Sequence, residues 1–251
     1  MSVFHFQQFS VQQEHSAMKV CTDSVLFGAM APVHEGDRVL DIGAGTGLLS
    51  LMAAQLGAAS VTAVELIEDA YRECRANFAA SPWAGRLEAV HQDVQGFSLK
   101  AGQPYDLVIS NPPFFENHVR AGDPSRNVAR HNDRLCYADL IAIADRLASP
   151  QGLLYLLMPA HAVAKLAAAA SASGFCLIRQ TDYHGYAHSG AKVAALVFSR
   201  MDADFVKERL VVYESAGIYT QASEQYLSPF LRRFSKDRQD SDRTHIPVHL
   251  N

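Results

Sequence analysis

The chain has 251 residues, 49% of them hydrophobic and 19% charged, with a net charge of −4. This describes one globular domain, alone or with additions, and ample core; it excludes a disordered chain and gives no global basicity for nucleic acid. Cys21, Cys74, Cys136 and Cys176 lie far apart without CxxC or CxH spacing, so no metal site or disulfide framework is expected, and a reducing cytoplasm fits.

Residues 1 to about 15 are polar, glutamine-rich and weakly periodic, and read as a mobile arm. Phe4 to Gln13 lacks the basic-then-apolar order of a secretory leader, and no apolar run of about 18 residues offers a membrane span. From Ser16 to Ala31 apolar residues recur at helical spacing, so 1–30 reads as an arm plus helix. Arg38 to Ile42 is a short strand entering a glycine-rich turn, and Thr46 to Leu56 is a helix stopped by Gly57. Ser60 to Val64 is a strand ending at Glu65, Glu68 to Ala80 a helix, and Leu87 to Gln92 a strand reaching Asp93. Tyr105 to Ser110 is a further strand, followed by helix Tyr137 to Ala148 and the fully apolar strand Gly152 to Met158. Helix His161 to Ser173 ends at Gly174. Cys176 to Thr181 and Val193 to Ser199 leave no room for a crossover helix and are expected to pair antiparallel at the end of the sheet. This order predicts an α/β domain over 31–234 with a mostly parallel sheet and ligands at the strands' carboxyl ends. The polar tail 235–251 reads as disordered.

Asp41-Ile42-Gly43-Ala44-Gly45-Thr46-Gly47 joins the first strand of this domain to its helix. Gly43, Gly45 and Gly47 permit a tight turn and close approach of a ligand. The dinucleotide fingerprint needs another glycine where Leu48 stands, and the Asp41 carboxylate would repel a pyrophosphate. It suits a ligand that carries an ammonium group. Glu65 ends the next strand, where an acidic residue would bind ribose hydroxyls, and Asp93 ends the third, within reach of an adenine amino group. Each of the three taken singly also fits a solvated strand end or a helix N-cap.

Asn111-Pro112-Pro113-Phe114 follows the strand Tyr105 to Ser110. The prolines remove two donors and stiffen the segment, leaving the Pro112 carbonyl free to accept. Asn111 adds a side-chain carbonyl, and Phe114 a stacking face. The tetrapeptide alone fits either a proline turn anchored in the core or a clamp for a planar amino group.

With these residues in place, the chain resembles the class I S-adenosylmethionine-dependent methyltransferases. Gly43 to Gly47 looks like their glycine motif, Glu65 their ribose ligand, Asp93 their adenine-side ligand, and Asn111 to Phe114 the motif of enzymes that methylate planar nitrogens. Phe9, Gln12, Ala17, Met18, Lys19, Val20, Thr22, Asp23 and Gly28 resemble the start of bacterial tRNA (adenine-N6)-methyltransferases acting on valine tRNA; Ala129-Arg130-His131, Leu135 and Tyr219 to Phe234 do so as well. Phe114 stands where that family often has Tyr. The resemblance implies a Rossmann-like class I methyltransferase fold: a mostly parallel seven-stranded sheet with an antiparallel last strand and helices on both faces. It implies S-adenosyl-L-methionine as cofactor, held by Thr22, Asp41, Gly43, Gly45, Gly47, Glu65, Asp93 and Asn111. It further implies Asn111, Pro112 and Phe114 as catalytic residues, and methylation of an adenosine N6 beside the anticodon.

Lys19, Arg126, Arg130, Arg232 and Arg233 are candidate contacts to the tRNA, against the alternative of a solvated loop and tail. No membrane association or obligate protein partner is evident. Rival readings are a protein glutamine-N5 methyltransferase, a DNA adenine methyltransferase, for which no target-recognition domain is visible, and a cofactor-binding RNA chaperone without turnover.

Overall fold

The computed structural model describes residues 2–16, 18–99, 103–112 and 136–235. Twelve strands and six α-helices occur among these residues. In chain order they are β1 (Val3–His5), β2 (Ser10–Gln12), α1 (Thr22–Ala29), β3 (Arg38–Ile42), α2 (Leu48–Leu56), β4 (Ser60–Glu65), α3 (Glu68–Ala79), β5 (Leu87–His91), β6 (Tyr105–Ser110), α4 (Tyr137–Leu147), β7 (Ala148–Pro159), α5 (Val163–Ala172), β8 (Cys176–His184), β9 (Ala191–Ser199), β10 (Val206–Val211), β11 (Tyr213–Ser215), β12 (Ile218–Tyr219) and α6 (Gln221–Leu227).

The main sheet runs in the order β10-β8-β9-β7-β6-β3-β4-β5. All its pairs are parallel except those of β9 with β7 and β8. The period-two alternation of a strand sends successive side chains to opposite faces. Leu107 and Ile109 thus join the core under α1, α2 and α3, while Val108 joins the core under α4 and α5. Each of these buried side chains contributes roughly 1.5–3 kcal/mol of transfer free energy. Helices on both faces follow from strands that are apolar on both sides.

Four expectations are corrected. The sheet has eight strands where seven were expected, because β10 adds parallel to β8. Its Lys207, Glu208 and Arg209 are exposed, as edge strands favour, and they mask the apolar signal. The antiparallel pair does form, but β9 is inserted between β7 and β8, and β10 takes the edge. The segment expected to be a mobile arm is a hairpin: Val3 to His5 pairs with Ser10 to Gln12, and Phe6, Phe9 and Val11 are buried. Phe6 also bridges to Leu231, joining this hairpin to the end of the described chain. The helical reading of Ser16 to Ala31 contracts to α1, leaving Ser16, Met18 and Lys19 in a loop. The tail 236–251 lies outside the described residues. Among those described, no helix is long and apolar enough to cross a membrane.

Candidate active site

Register brings the key residues level. Asp41 pairs with Ile109 on one side and Ala63 on the other. Two residues further along each parallel strand stand Gly43, Asn111 and Glu65, at one height on the carboxyl edge. Hydrogen bonds tie the three tips together: Ser110 Oγ donates to the Ile42 carbonyl at 2.7 Å, and the Gly43 N–H to the Val64 carbonyl at 2.9 Å.

The glycine turn has two sides. Gly43 and Gly45 adopt φ of 70° and 57°, and a Cβ on either would meet nothing within 4 Å. They form an open floor. Gly47, at φ 81°, is packed against α3: a Cβ there would sit 2.5 Å from Phe78 Cε1 and 2.8 Å from Cys74 Sγ.

Asp41 is fully buried below this floor. Ser50 of α2 donates to its Oδ2 at 2.7 Å, whereas Oδ1 has no hydrogen-bond partner among the described residues. Burial pushes its carboxyl up to about 7; the Ser50 hydrogen bond opposes the rise and the Glu65 charge adds to it. A buried acceptor left unpaired is costly, so a cationic group that can enter over the turn is its natural complement. Glu65 accepts the N–H of Gly45 and that of Ile67, each at 2.8 Å, which fixes its carboxylate across the turn.

Asn111 donates from Nδ2 to Met18 Sδ at 3.4 Å, and its Oδ1 is a second buried acceptor without a partner among the described residues. Adjacent strands therefore each end in an orphan acceptor beside an open glycine floor. Pro112 is buried, and Pro113, Phe114, Arg126 and Arg130 lie outside the described residues.

Other expected site residues have local duties. Asp93 is exposed and caps a short 3-10 turn by accepting the Gln95 N–H at 2.9 Å, the N-cap alternative noted above. The hydroxyl of Thr22, at the start of α1, is 2.7 Å from that of Tyr213. Lys19 donates to the carbonyls of Gln13 and Glu14 and so closes its own loop. Arg232 and Arg233 are exposed, and Arg233 lies over the rings of Tyr219 and Phe234 at 5.0 and 5.2 Å.

Two supporting residues, Glu73 and Asn77, escaped the reading of the sequence. Glu73 accepts the N–H groups of Glu14, His15 and Ser16 and the Ser16 hydroxyl. Burial raises its carboxyl, but these four hydrogen bonds outweigh that and bring it below the usual range. Asn77 accepts from the Gln12 N–H at 2.8 Å and donates to the carbonyls of Gln12 and Thr46 at 3.0 and 2.9 Å. One face of α3 thereby holds both the N-terminal segment and the glycine turn. The available signal was a polar pair at i, i+4 on that helix. Ser50 offered a similar one, as a lone hydroxyl in the apolar run of α2.

The residues present fit S-adenosylmethionine. Its ammonium would complement the buried Asp41, its ribose diol would meet Glu65, and the open floor leaves room for close approach.

Comparison with known proteins agrees. Residues 13–164 match the model of the family described as Methyltransferase small domain. A tRNA1(Val) (adenine(37)-N6)-methyltransferase of Flavobacterium johnsoniae is 39% identical over 221 residues, 87% of this chain and 94% of that protein. One of the same name from Tolumonas auensis is 37% identical over 234 residues, 92% and 98% of the two chains. Among solved structures, a predicted O-methyltransferase of Agrobacterium tumefaciens superposes with a TM-score of 0.63 at 21% identity, over 81% of this chain and 94% of that one. A methyltransferase from Pyrococcus furiosus gives 0.56 at 18%, over 77% and 90%. At these identities the two structures speak for the class I fold. The family model and the relatives go further: the chain belongs to the methyltransferase small-domain family, in the branch of the tRNA1(Val) (adenine(37)-N6)-methyltransferases.

Proposed function

We propose that the chain methylates the exocyclic N6 of an adenosine in tRNA, beside the anticodon of valine tRNA, at adenine 37 as in its relatives' names. The observation that carries this reading is the buried Oδ1 of Asn111, without a partner among the described residues, at the end of the strand beside the glycine turn. An amino group conjugated to a purine ring is a poor nucleophile. One of its protons is accepted by Asn111 Oδ1 and the other by the Pro112 carbonyl, which localises the nitrogen lone pair and stabilises the charge that develops there. S-adenosylmethionine supplies the methyl group as an electrophile on its sulfonium. A carbon–nitrogen bond forms as the carbon–sulfur bond breaks, and the nitrogen then releases one proton to water. Phe114 stacks on the flipped base. Two of the three Lys19 ammonium protons are engaged within its own loop, so Arg126, Arg130, Arg232 and Arg233 supply most of the phosphate contacts.

The test is mass spectrometry of tRNA nucleosides from cells with and without the gene, complemented by the wild-type chain or by Asn111→Ala. N6-methyladenosine in valine tRNA should require the gene and vanish in the variant. An unchanged nucleoside profile would overturn the proposal.

A further inference from the structure

We propose that an aromatic ladder on the β8–β10 side of the site is the stacking platform for unpaired bases flanking the target adenosine. The inference rests on the tRNA reading above and names the surface that would grip the loop.

Topology places the ladder on the right edge. β8 and β10 run parallel to β6 and β7, because β9 reverses direction between them. The carboxyl ends of β8 and β10 thus lie on the same edge as Asn111, and Tyr186 and Tyr213 follow directly from them. Tyr186 lies 5.9 Å from Tyr213, Tyr213 stacks on Tyr219 at 5.0 Å and 19°, and Tyr219 meets Phe234 at 6.4 Å. Arg233 covers the last two rings, a guanidinium plane continuing the stack.

The inner rings have a structural reason to be there. Tyr213, Tyr219 and Phe234 rest on the main core. Tyr186 and His188 belong to neither core cluster, yet they stack on each other at 5.7 Å and 5°, with Tyr186 36% exposed. Their loop is also built rigidly. Ser189 Oγ accepts the Tyr186 N–H at 2.9 Å and donates to the Tyr186 carbonyl at 2.8 Å, and Arg209 fastens the Ala187 carbonyl. His184 Nδ1 lies 2.7 Å from the Ser189 carbonyl. A ring held out on a pre-ordered loop loses little freedom when a partner arrives. Stacked aromatics interleaved with exposed arginines suit single-stranded RNA, since every base offers a π face and every linkage a negative charge.

The test uses the full chain and a valine-tRNA anticodon stem-loop carrying 2-aminopurine beside the target adenosine. Wild type should bind and quench the probe. Tyr186→Ala should weaken binding roughly 5- to 150-fold, the range for losing one base stack, and abolish the quench. Tyr186→Phe, which keeps the ring, should behave as wild type, and both variants should keep the wild-type affinity for S-adenosylmethionine. If Tyr186→Ala binds the RNA and methylates it as wild type does, the platform is refuted while the tRNA reading stands, and the ladder is a face for something else, such as a protein. If Tyr186→Phe is as weak as Tyr186→Ala, the hydroxyl rather than stacking is at work and the proposal falls. If the wild type neither binds nor methylates the RNA, both readings fall.

Discussion

Replacing the turn glycines one at a time separates floor from packing. Gly43→Ala and Gly45→Ala add a methyl to open space, so their stability cost is the left-handed backbone alone, roughly 1–2 kcal/mol. Gly47→Ala carries the same cost and drives Cβ to 2.5 Å from Phe78 and 2.8 Å from Cys74. Both neighbours are buried, at 3% and 0% exposure, so neither can swing aside. Overpacking adds roughly 1–3 kcal/mol, for a total of about 2–5 kcal/mol. In a chain of this size each kcal/mol lowers the melting temperature by roughly 2–4 °C, so Gly47→Ala should melt about 4–20 °C lower. Gly45→Ala should melt about 2–8 °C lower on the same scale. Titration calorimetry should rank them the other way. Gly45→Ala should lose at least about ten-fold in affinity for S-adenosylmethionine, some 1.4 kcal/mol. Gly47→Ala, measured cold enough to be folded, should stay within a few-fold of wild type. If Gly45→Ala binds the methyl donor normally and Gly47→Ala melts normally, the turn is not the floor of the site.

Asn111→Ala should reduce methyl transfer by at least about a hundred-fold while leaving the affinity for S-adenosylmethionine within a few-fold, read by single-turnover transfer and calorimetry; comparable turnover would remove the clamp from the mechanism. Asp41 titrates near 7 in the folded chain but near 4 when unfolded, so between those values the native state holds a proton that the unfolded state lacks. Stability should therefore fall as pH rises from about 4 to 7, by up to about 1.4 kcal/mol per unit, and Asp41→Asn should flatten that slope in urea titrations. Glu73→Gln should cost about 2–4 kcal/mol at pH 7, because an amide cannot accept all four donors now converging on the carboxylate. As the Glu73 carboxyl is lowered, that contribution is present above the unfolded value near 4.3 and disappears as pH falls through the folded one. Wild type and variant should converge in melting temperature in acid.

The strands that build the site were readable because they are short, apolar and punctuated: β3 and β6 end at Ile42 and Ser110, as expected. The hairpin β1–β2 was hidden. Phe4 and Phe6, then Phe9 and Val11, do alternate, but glutamines after each pair dilute the period, and the partner surfaces lie 65 residues away on α3 and 221 away at Ser228. β10 was hidden by its charges. At the site, glycine spacing and strand-end acids pointed to the ligand, whereas the orphaned oxygens of Asp41 and Asn111 depend on what the fold leaves unpaired. No spacing rule carries that. The Thr22–Tyr213 pair is likewise a contact across 191 residues.

The bond between the ends of the described chain has a consequence for assembly. Gln7 donates to the carbonyls of Ser228 and Leu231, and its own N–H goes to Phe230. Closing a loop of 224 residues costs about 5 kcal/mol in chain entropy. These Gln7 contacts can form only once the helix at Gln221–Leu227 and the residues after it are in place, whereas Asn77 and Glu73 of α3 hold Gln12 and Glu14 to Ser16 at far shorter separation. Contacts of such long sequence separation are the slow ones to form, so the seal between Gln7 and residues 228–231 is expected to close late in folding.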